Sequence, residues 1–280
     1  VGQPEQRAEG AGPFTTRLTW KRPAGETVVW ESRLARRRGA LSVRGQGDTV
    51  STYSVADAEA LGRLRRLNAV ASGAFVIGGA LFALGAAVSQ FGSGGAAESA
   101  SIYFAGGLFF NLGGYASLLQ VTNAPRHSRE GGPLVTAGWR WWAYEPMRLD
   151  WLSTFVLFVG TLVFAVNLLD SFLQGLTVQQ INRLIWTPDV IGCVLFLVSG
   201  HLAFAEICHR RWPCVRSRSL GWWVVAVNQF GSVLFMISAL AAFTRPDTGS
   251  LINTDIANWG TLTGALCFSL GGVLQFFERP

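Results

Sequence analysis

Six apolar runs, each about long enough to cross a bilayer, constrain this chain more than any other feature. They cover residues 67–91, 102–121, 151–172, 190–207, 220–243 and 259–277. A hydrocarbon core about 30 Å thick needs roughly 20 helical residues at about 1.5 Å each. Lipid offers no partner for a backbone amide, so such runs must be helices or a closed barrel. None of them alternates apolar with polar residues, as barrel strands would. Only Asp170 and Glu206 carry a formal charge within them, each close to an end. The expected fold is an all-α membrane protein of six transmembrane helices. Residues 1–60 form a polar segment with a short β-hairpin, and residues 61–280 form the six-helix domain.

Arginine sets the expected orientation. The segment before the first run ends in Arg63, Arg65 and Arg66; the second loop holds Arg126, Arg129, Arg140 and Arg148; the fourth holds Arg210, Arg211, Arg216 and Arg218. The intervening loops hold only Arg183 and Arg245. By the positive-inside rule both termini are cytoplasmic. The net charge of +6 then reflects topology and anionic headgroups, with no call for nucleic acid. The first 60 residues contain no apolar signal-peptide core, so the first run is expected to act as the membrane signal. A start at Val1 suggests an alternative start codon or a trimmed end. Near-exclusive use of arginine over lysine points to a GC-rich bacterial genome and a bacterial plasma membrane.

The even-numbered runs share a spaced motif. It reads Gly106, Phe110, Gly114; then Gly192, Phe196, Gly200; then Gly264, Phe268, Gly272. Six residues after the last glycine stand Gln120, Glu206 and Glu278. The odd-numbered runs match over Gly78 with Phe82, Gly160 with Phe164, and Gly231 with Phe235. This reads as one helical hairpin present three times, at about residues 67–121, 151–207 and 220–277, in parallel orientation. Residues at i, i+4 and i+8 lie near one helix face, and the glycines let a neighbouring backbone approach, so the motif is expected at an interhelical seam.

Intramembrane polar residues are the functional candidates: Asn111, Asn167, Asp170, His201, Glu206 and Asn228. Glu206 reads as a boundary carboxylate reaching water, or as a functional one. His201 reads as a packing histidine hydrogen-bonded to a neighbouring helix, or as a functional imidazole. If the asparagines, Asp170 and His201 shared a cavity, a small-solute transporter or channel would follow. Haem ligation by His201 is the sharpest redox version, weakened because no second intramembrane histidine exists.

Other stretches carry weaker signals. In CHRRWPC, Cys208, His209 and Cys214 lack zinc-knuckle spacing and enclose Arg210 and Arg211, which repel a cation. No metal and no cofactor are expected, and the four cysteines, two in the spans (Cys193, Cys267) and two on the reducing side, read as free thiols. GWRWWAYEPMRLDW, residues 138–151, reads as an interfacial aromatic belt, with a cage for a cationic ligand as the alternative. Residues 14–20 and 27–32 read as strands around the turn KRPAGE, and Ser54 as the cap of a helix entering the first span. So small a piece should not bury its own core and should rest on the membrane or on cytoplasmic loops, with its arginines at 33–38 on lipid phosphate, or else dock a protein partner. No P-loop, dinucleotide fingerprint or nucleophile elbow occurs, and no catalytic residue is assigned.

The segments 231–235 (GSVLF), 160–164 (GTLVF) and 192–196 (GCVLF) resemble the G-S-x-L-F signature of YrhK-like membrane proteins, whose unit is a two-helix hairpin. WTPDVIG and WWVVAVNQFGSVLF are similar to stretches of uncharacterised multi-pass proteins of actinobacteria. The likeness covers about residues 67–280, and the first hairpin departs most, with Gly79 in place of the serine. It implies a multi-pass plasma-membrane protein and supplies no catalytic residue. The expected function is non-catalytic, through membrane lipids, a protein partner or a second copy of the chain.

Overall fold

The computed structural model describes residues 7–22, 25–45, 52–92, 96–125, 134 and 138–278. Val1, Pro23, Ala24, Arg126 and Arg129, on which sequence expectations fell, lie outside them.

The amino-terminal region holds more strand than expected. Strands β1 (Arg7–Ala11), β2 (Phe14–Lys21), β3 (Thr27–Glu31), β4 (Ala40–Arg44) and β5 (Thr52–Val55) form one antiparallel sheet in chain order. The expected hairpin is its centre, with Trp20 opposite Val28 and Arg17 opposite Glu31. Alternate residues of β3 turn inward, and Val28 and Trp30 join Trp20, Leu41 and Val43 in a small core. The expectation that this region buries no core is therefore corrected: Leu41 and Val43 of the next strand, β4, and Ala35 between β3 and β4 supply the missing surface.

Between β3 and β4 lies helix α1 (Ser32–Arg38). It stops at Gly39, whose left-handed backbone (φ 56°) lets its N–H reach the Ala35 carbonyl. Helix α2 (Ala58–Phe91) is capped by Asp57, whose side chain accepts from Ala60 N at 2.7 Å, and not by Ser54. Its 34 residues span about 51 Å, well beyond a hydrocarbon core, so its first turns stand beside the sheet.

Helices α3 (Ala96–Thr122), α4 (Leu149–Asp170), α5 (Val178–Ile181), α6 (Thr187–Cys208), α7 (Leu220–Ala241) and α8 (Thr254–Phe277) complete the chain. The described residues contain six helices long and apolar enough to cross a membrane, α5 and α6 forming one span over Val178–Cys208. The chain is thus a multi-pass helical membrane protein. The spans close into a ring in which α2, α3, α4, α6, α7 and α8 each pack on the next and α8 packs back on α2. Exposed apolar side chains recur every three or four residues on the outside, as with Leu162, Val166 and Leu169, or Leu266, Leu270 and Val273. That surface faces lipid at no solvation cost.

The glycine motif acts at two seams. Gly78, Gly160 and Gly231 meet Phe110, Phe196 and Phe268, while Gly106, Gly192 and Gly264 meet Phe82, Phe164 and Phe235. The third glycines face the other neighbour: Gly114 meets α4 at Thr161, Gly200 meets Gln229 of α7, and Gly272 meets Val76 of α2. The geometry is helical arithmetic. Four residues advance about 40° around a helix, so residues i and i+8 diverge by about 80° and touch different neighbours, with i+4 between them facing the axis. The expectation of a single seam is corrected accordingly.

The phenylalanines between the glycines meet on the axis in two layers. Phe82 and Phe164 lie 6.4 Å from Phe235, and Phe110 and Phe196 lie 5.6 Å from Phe268. The layers interlock, Phe82 on Phe110 at 5.2 Å and Phe235 stacked on Phe268 at 5.3 Å. A space of only about 10 Å³ lies among five of these rings, those of Phe82, Phe110, Phe164, Phe196 and Phe235. A Cβ on Gly264 would lie 3.0 Å from the Gly231 carbonyl, which cannot swing aside, whereas one on Gly62 meets nothing within 4 Å. Gly264→Val is expected to destabilise the detergent-purified protein by about 1–3 kcal/mol and Gly62→Ala not at all, read as thermal unfolding midpoints.

Candidate functional site

At the end of the ring that carries the sheet, the three polar positions following the glycine motif converge on helix α1. Arg37 Nη1 donates to Gln120 Oε1 at 2.9 Å and to Asn68 Oδ1 at 2.6 Å. Arg36 Nη2 donates to Glu206 Oε2 at 2.8 Å, and Ser32 Oγ donates to Glu206 Oε1 at 2.9 Å. Arg33 grips Glu278 with two bonds, Nε to Oε1 and Nη2 to Oε2, both 2.7 Å. The spacing explains it: residues 33, 36 and 37 share one helix face, while Arg38 points away and is exposed. Two expectations are corrected here. Arg33, Arg36 and Arg37 meet protein carboxylates and amides instead of lipid phosphate. Glu206 is 1% exposed, because α1 lies over the helix end that would otherwise reach water.

Burial and pairing set the charges of this cap. Burial alone pushes the Glu278 carboxyl up, but Arg33 and then Arg37 outweigh it and hold Glu278 below its usual 4.5. Burial pulls Arg33 down, and Glu278 followed by Glu206 more than restores it, leaving the guanidinium above its ordinary value. Arg37 differs. Burial and the neighbouring Arg36 dominate, and its pKa falls to about 9.

Beneath the cap lies a cavity of about 100 Å³, reached by Arg33, Arg36, Arg37, Glu206, Asn228 and Gln275 and floored by Phe196 and Phe268. Beyond the phenylalanine layers, at the opposite end of the ring, lies a larger cavity of about 570 Å³. Phe82, Phe164 and Phe235 form its floor; Tyr103, Asn167, Asn258, Thr261 and Asp189 are among its walls.

Asp189 is not among the sequence candidates, because it stands immediately before the fourth apolar run, at residues 190–207. The chain enters α6 through a π-helical turn, Asn182–Trp186. Pro188 has no N–H, and its ring opposes the carbonyl four residues back, which favours a widened turn. Asn182 ties that turn to α7's end, its amide donating to the Thr244 carbonyl at 2.7 Å and accepting from Thr244 N at 3.1 Å. The extra helical length carries Asp189 inside the span. Its carboxylate makes no hydrogen bond or ion pair among the described residues, and no Lys, Arg or His lines the cavity. The readable signal was TPD, a proline followed by an acid at the mouth of an apolar run.

Of the sequence candidates, Glu206 and Asn228 line one cavity, but the asparagines, Asp170 and His201 do not share one. Asn167 lines the larger one and Asn228 the smaller. Asn111 donates to the Gly107 carbonyl of its own helix at 3.0 Å, Asp170 borders neither cavity, and His201 is exposed. The cysteine expectation is overturned as well. Cys208 and Cys214 form a disulfide, with Cα atoms 5.6 Å apart, because His209 takes a left-handed conformation (φ 52°) and folds the chain back; Cys193 and Cys267 are free. His209 Nδ1 lies 2.9 Å from Thr16 Oγ1, tying this turn to the sheet. The residue 138–151 rings pack on one another, Trp139 on Trp141 at 5.3 Å, and border none of the cavities described.

No protein-family model matches this chain, and no curated protein or solved structure is similar enough to it to extend the argument.

Two outcomes follow from the cap. Since the folded pKa of Glu278 is depressed, its contribution is fully present above the unfolded value near 4.5 and is lost as pH falls through the folded one. Hydrogen exchange at α1 amides, corrected for intrinsic rates, should stay slow at neutral pH and accelerate only below about pH 4.5. Glu206→Leu, which leaves Arg36 buried without its partner, should cost about 3–5 kcal/mol in thermal or denaturant unfolding, whereas Glu31→Leu on the sheet should cost under about 1 kcal/mol.

Proposed function

We propose that this chain is a non-catalytic protein of the bacterial plasma membrane that binds a small, positively charged solute in the larger cavity. The observation that carries this reading is the unpaired Asp189 carboxylate in a space of about 570 Å³, walled by aromatic rings, amides and hydroxyls. That size suits a small-molecule site. A carboxylate withdrawn from water gains most from a cation, and the faces of Phe164, Phe235 and Tyr103 attract the same charge. The phenylalanine layers close the path toward the sheet, so the cavity serves binding or gated passage and not an open pore. This replaces the transporter arrangement built on Asp170 and His201.

Several finer statements belong to the same proposal. The three hairpins are copies of one unit arranged about an axis along the membrane normal, as in the YrhK-like proteins they resemble; their reciprocal glycine and phenylalanine contacts support this. Both termini are cytoplasmic, as the arginine distribution argues against the opposite indication of the Cys208–Cys214 disulfide on that side, and the outer surface takes membrane lipid. A second reading, action through lipid, a protein partner or a second copy of the chain, draws on the exposed rings of Trp141, Tyr144 and Trp212 at one end of the ring.

Thermal unfolding of the purified protein against a panel of primary and quaternary ammonium compounds tests the first reading. At least one should raise the midpoint saturably, and Asp189→Asn should weaken that binding by about tenfold or more. Saturable response to neutral or anionic solutes alone, or equal affinity in the variant, would contradict it. Impermeant maleimide on intact cells should label Thr248→Cys and spare Tyr144→Cys if the orientation is as proposed.

A further inference from the structure

The smaller cavity carries an imbalance that the cation site does not explain. Three guanidiniums, those of Arg33, Arg36 and Arg37, reach it. Two carboxylates answer them: Glu278 is taken by Arg33 and Glu206 by Arg36. Arg37 is left with two neutral amides, Asn68 and Gln120, and with Glu278 at 3.8 Å, already gripped by Arg33. One formal positive charge is therefore uncompensated at a position where Arg36 and Arg37 are each 5% exposed. Burying a charge without a counter-charge is costly by several kcal/mol.

The unsatisfied hydrogen-bonding groups here have one sign. Arg36 Nε, Arg37 Nε and Gln275 Nε2 are buried without a hydrogen-bond partner, and all three residues line the cavity. All three atoms are donors. A site meant for packing would pair them or omit them. The oxygens that also line the cavity, those of Glu206 and of serine and threonine hydroxyls, are not among the unpartnered atoms. Three donors and an excess positive charge around a space of about 100 Å³, ample for one small ion, call for an acceptor that is also negative.

We propose that the cavity under α1 binds a small inorganic anion, held by Arg36, Arg37 and Gln275, which locks the amino-terminal sheet onto the helical ring. The depressed pKa of Arg37, pushed down to about 9 by burial and by Arg36, agrees with a site that lacks its counter-ion. The anion would join α1 to α8 through Gln275, adding to the Glu278 contact at the same helix end. This site is separate from the Asp189 cavity, the phenylalanine layers lying between them.

The test uses the full chain purified in detergent and exchanged into sodium gluconate, an anion too large for the cavity. Chloride, nitrate and phosphate are titrated at constant sodium, with the thermal unfolding midpoint as readout. At least one should raise the midpoint saturably. Gln275→Leu, which removes one donor and no charge, should raise the half-saturating concentration about tenfold, and Arg37→Gln should abolish the saturable phase. Should Arg37→Gln fail to fold, Gln275→Leu decides alone. No saturable rise with any of the three anions overturns the proposal, as does a Gln275→Leu titration that superimposes on the parent; either result would leave ordered water as the occupant.

Discussion

Three arginines withdrawn from water decide how the two parts of this chain meet. A guanidinium cannot shed its charge at any ordinary pH, so burying one obliges the fold to supply acceptors. The ring supplies them at one level, from the ends of α3, α6 and α8, as Gln120, Glu206 and Glu278. The seven residues of α1 match that level because 33, 36 and 37 share a face. The sheet around α1 is then a scaffold: its small core of Trp20, Val28 and Leu41 holds the arginine helix at the ring's end.

Below the cap the ring is governed by a different constraint. Helices in lipid gain nothing from expelling water, so contact and dispersion must hold them together. Glycine brings backbones close, and the rings placed opposite each glycine fill the space on the axis. The same six rings divide the interior. One side holds an uncompensated cation under the cap, the other an uncompensated carboxylate at Asp189. Both cavities thus have a sign written into their walls: a positive excess on one side, where the carboxylate nearest Arg37 is already held by Arg33, and on the other an Asp189 with no ion pair among the described residues.

How much of this was legible in the sequence varied with how local the cause was. Span number and approximate position follow from hydropathy, which depends on each residue alone. The glycine and phenylalanine spacing was legible as a pattern, but its division between two seams was not, since that depends on the 80° turn between i and i+8 once neighbours lie on both sides. The polar step at Gln120, Glu206 and Glu278 was visible and misread: a carboxylate at a span's end usually reaches water, and nothing in the run itself announces a helix from residue 32 lying over it. Asp189 was missed because the π-helical turn lengthens the fourth span beyond its apolar run. The Cys208–Cys214 bond depends on a reversal at His209 that carries no glycine to mark it.

The central claim is that α1 is fastened to the ring by its arginines, and a double-mutant cycle on Arg33 and Glu278 addresses it directly. Arg33→Met, Glu278→Leu and the double variant are compared with the parent by denaturant unfolding in detergent. The account predicts a coupling energy of about 2 kcal/mol or more, with the double variant less destabilised than the sum of the singles. Strict additivity within about 0.3 kcal/mol would mean that the two side chains do not meet, and that the cap is held by something else.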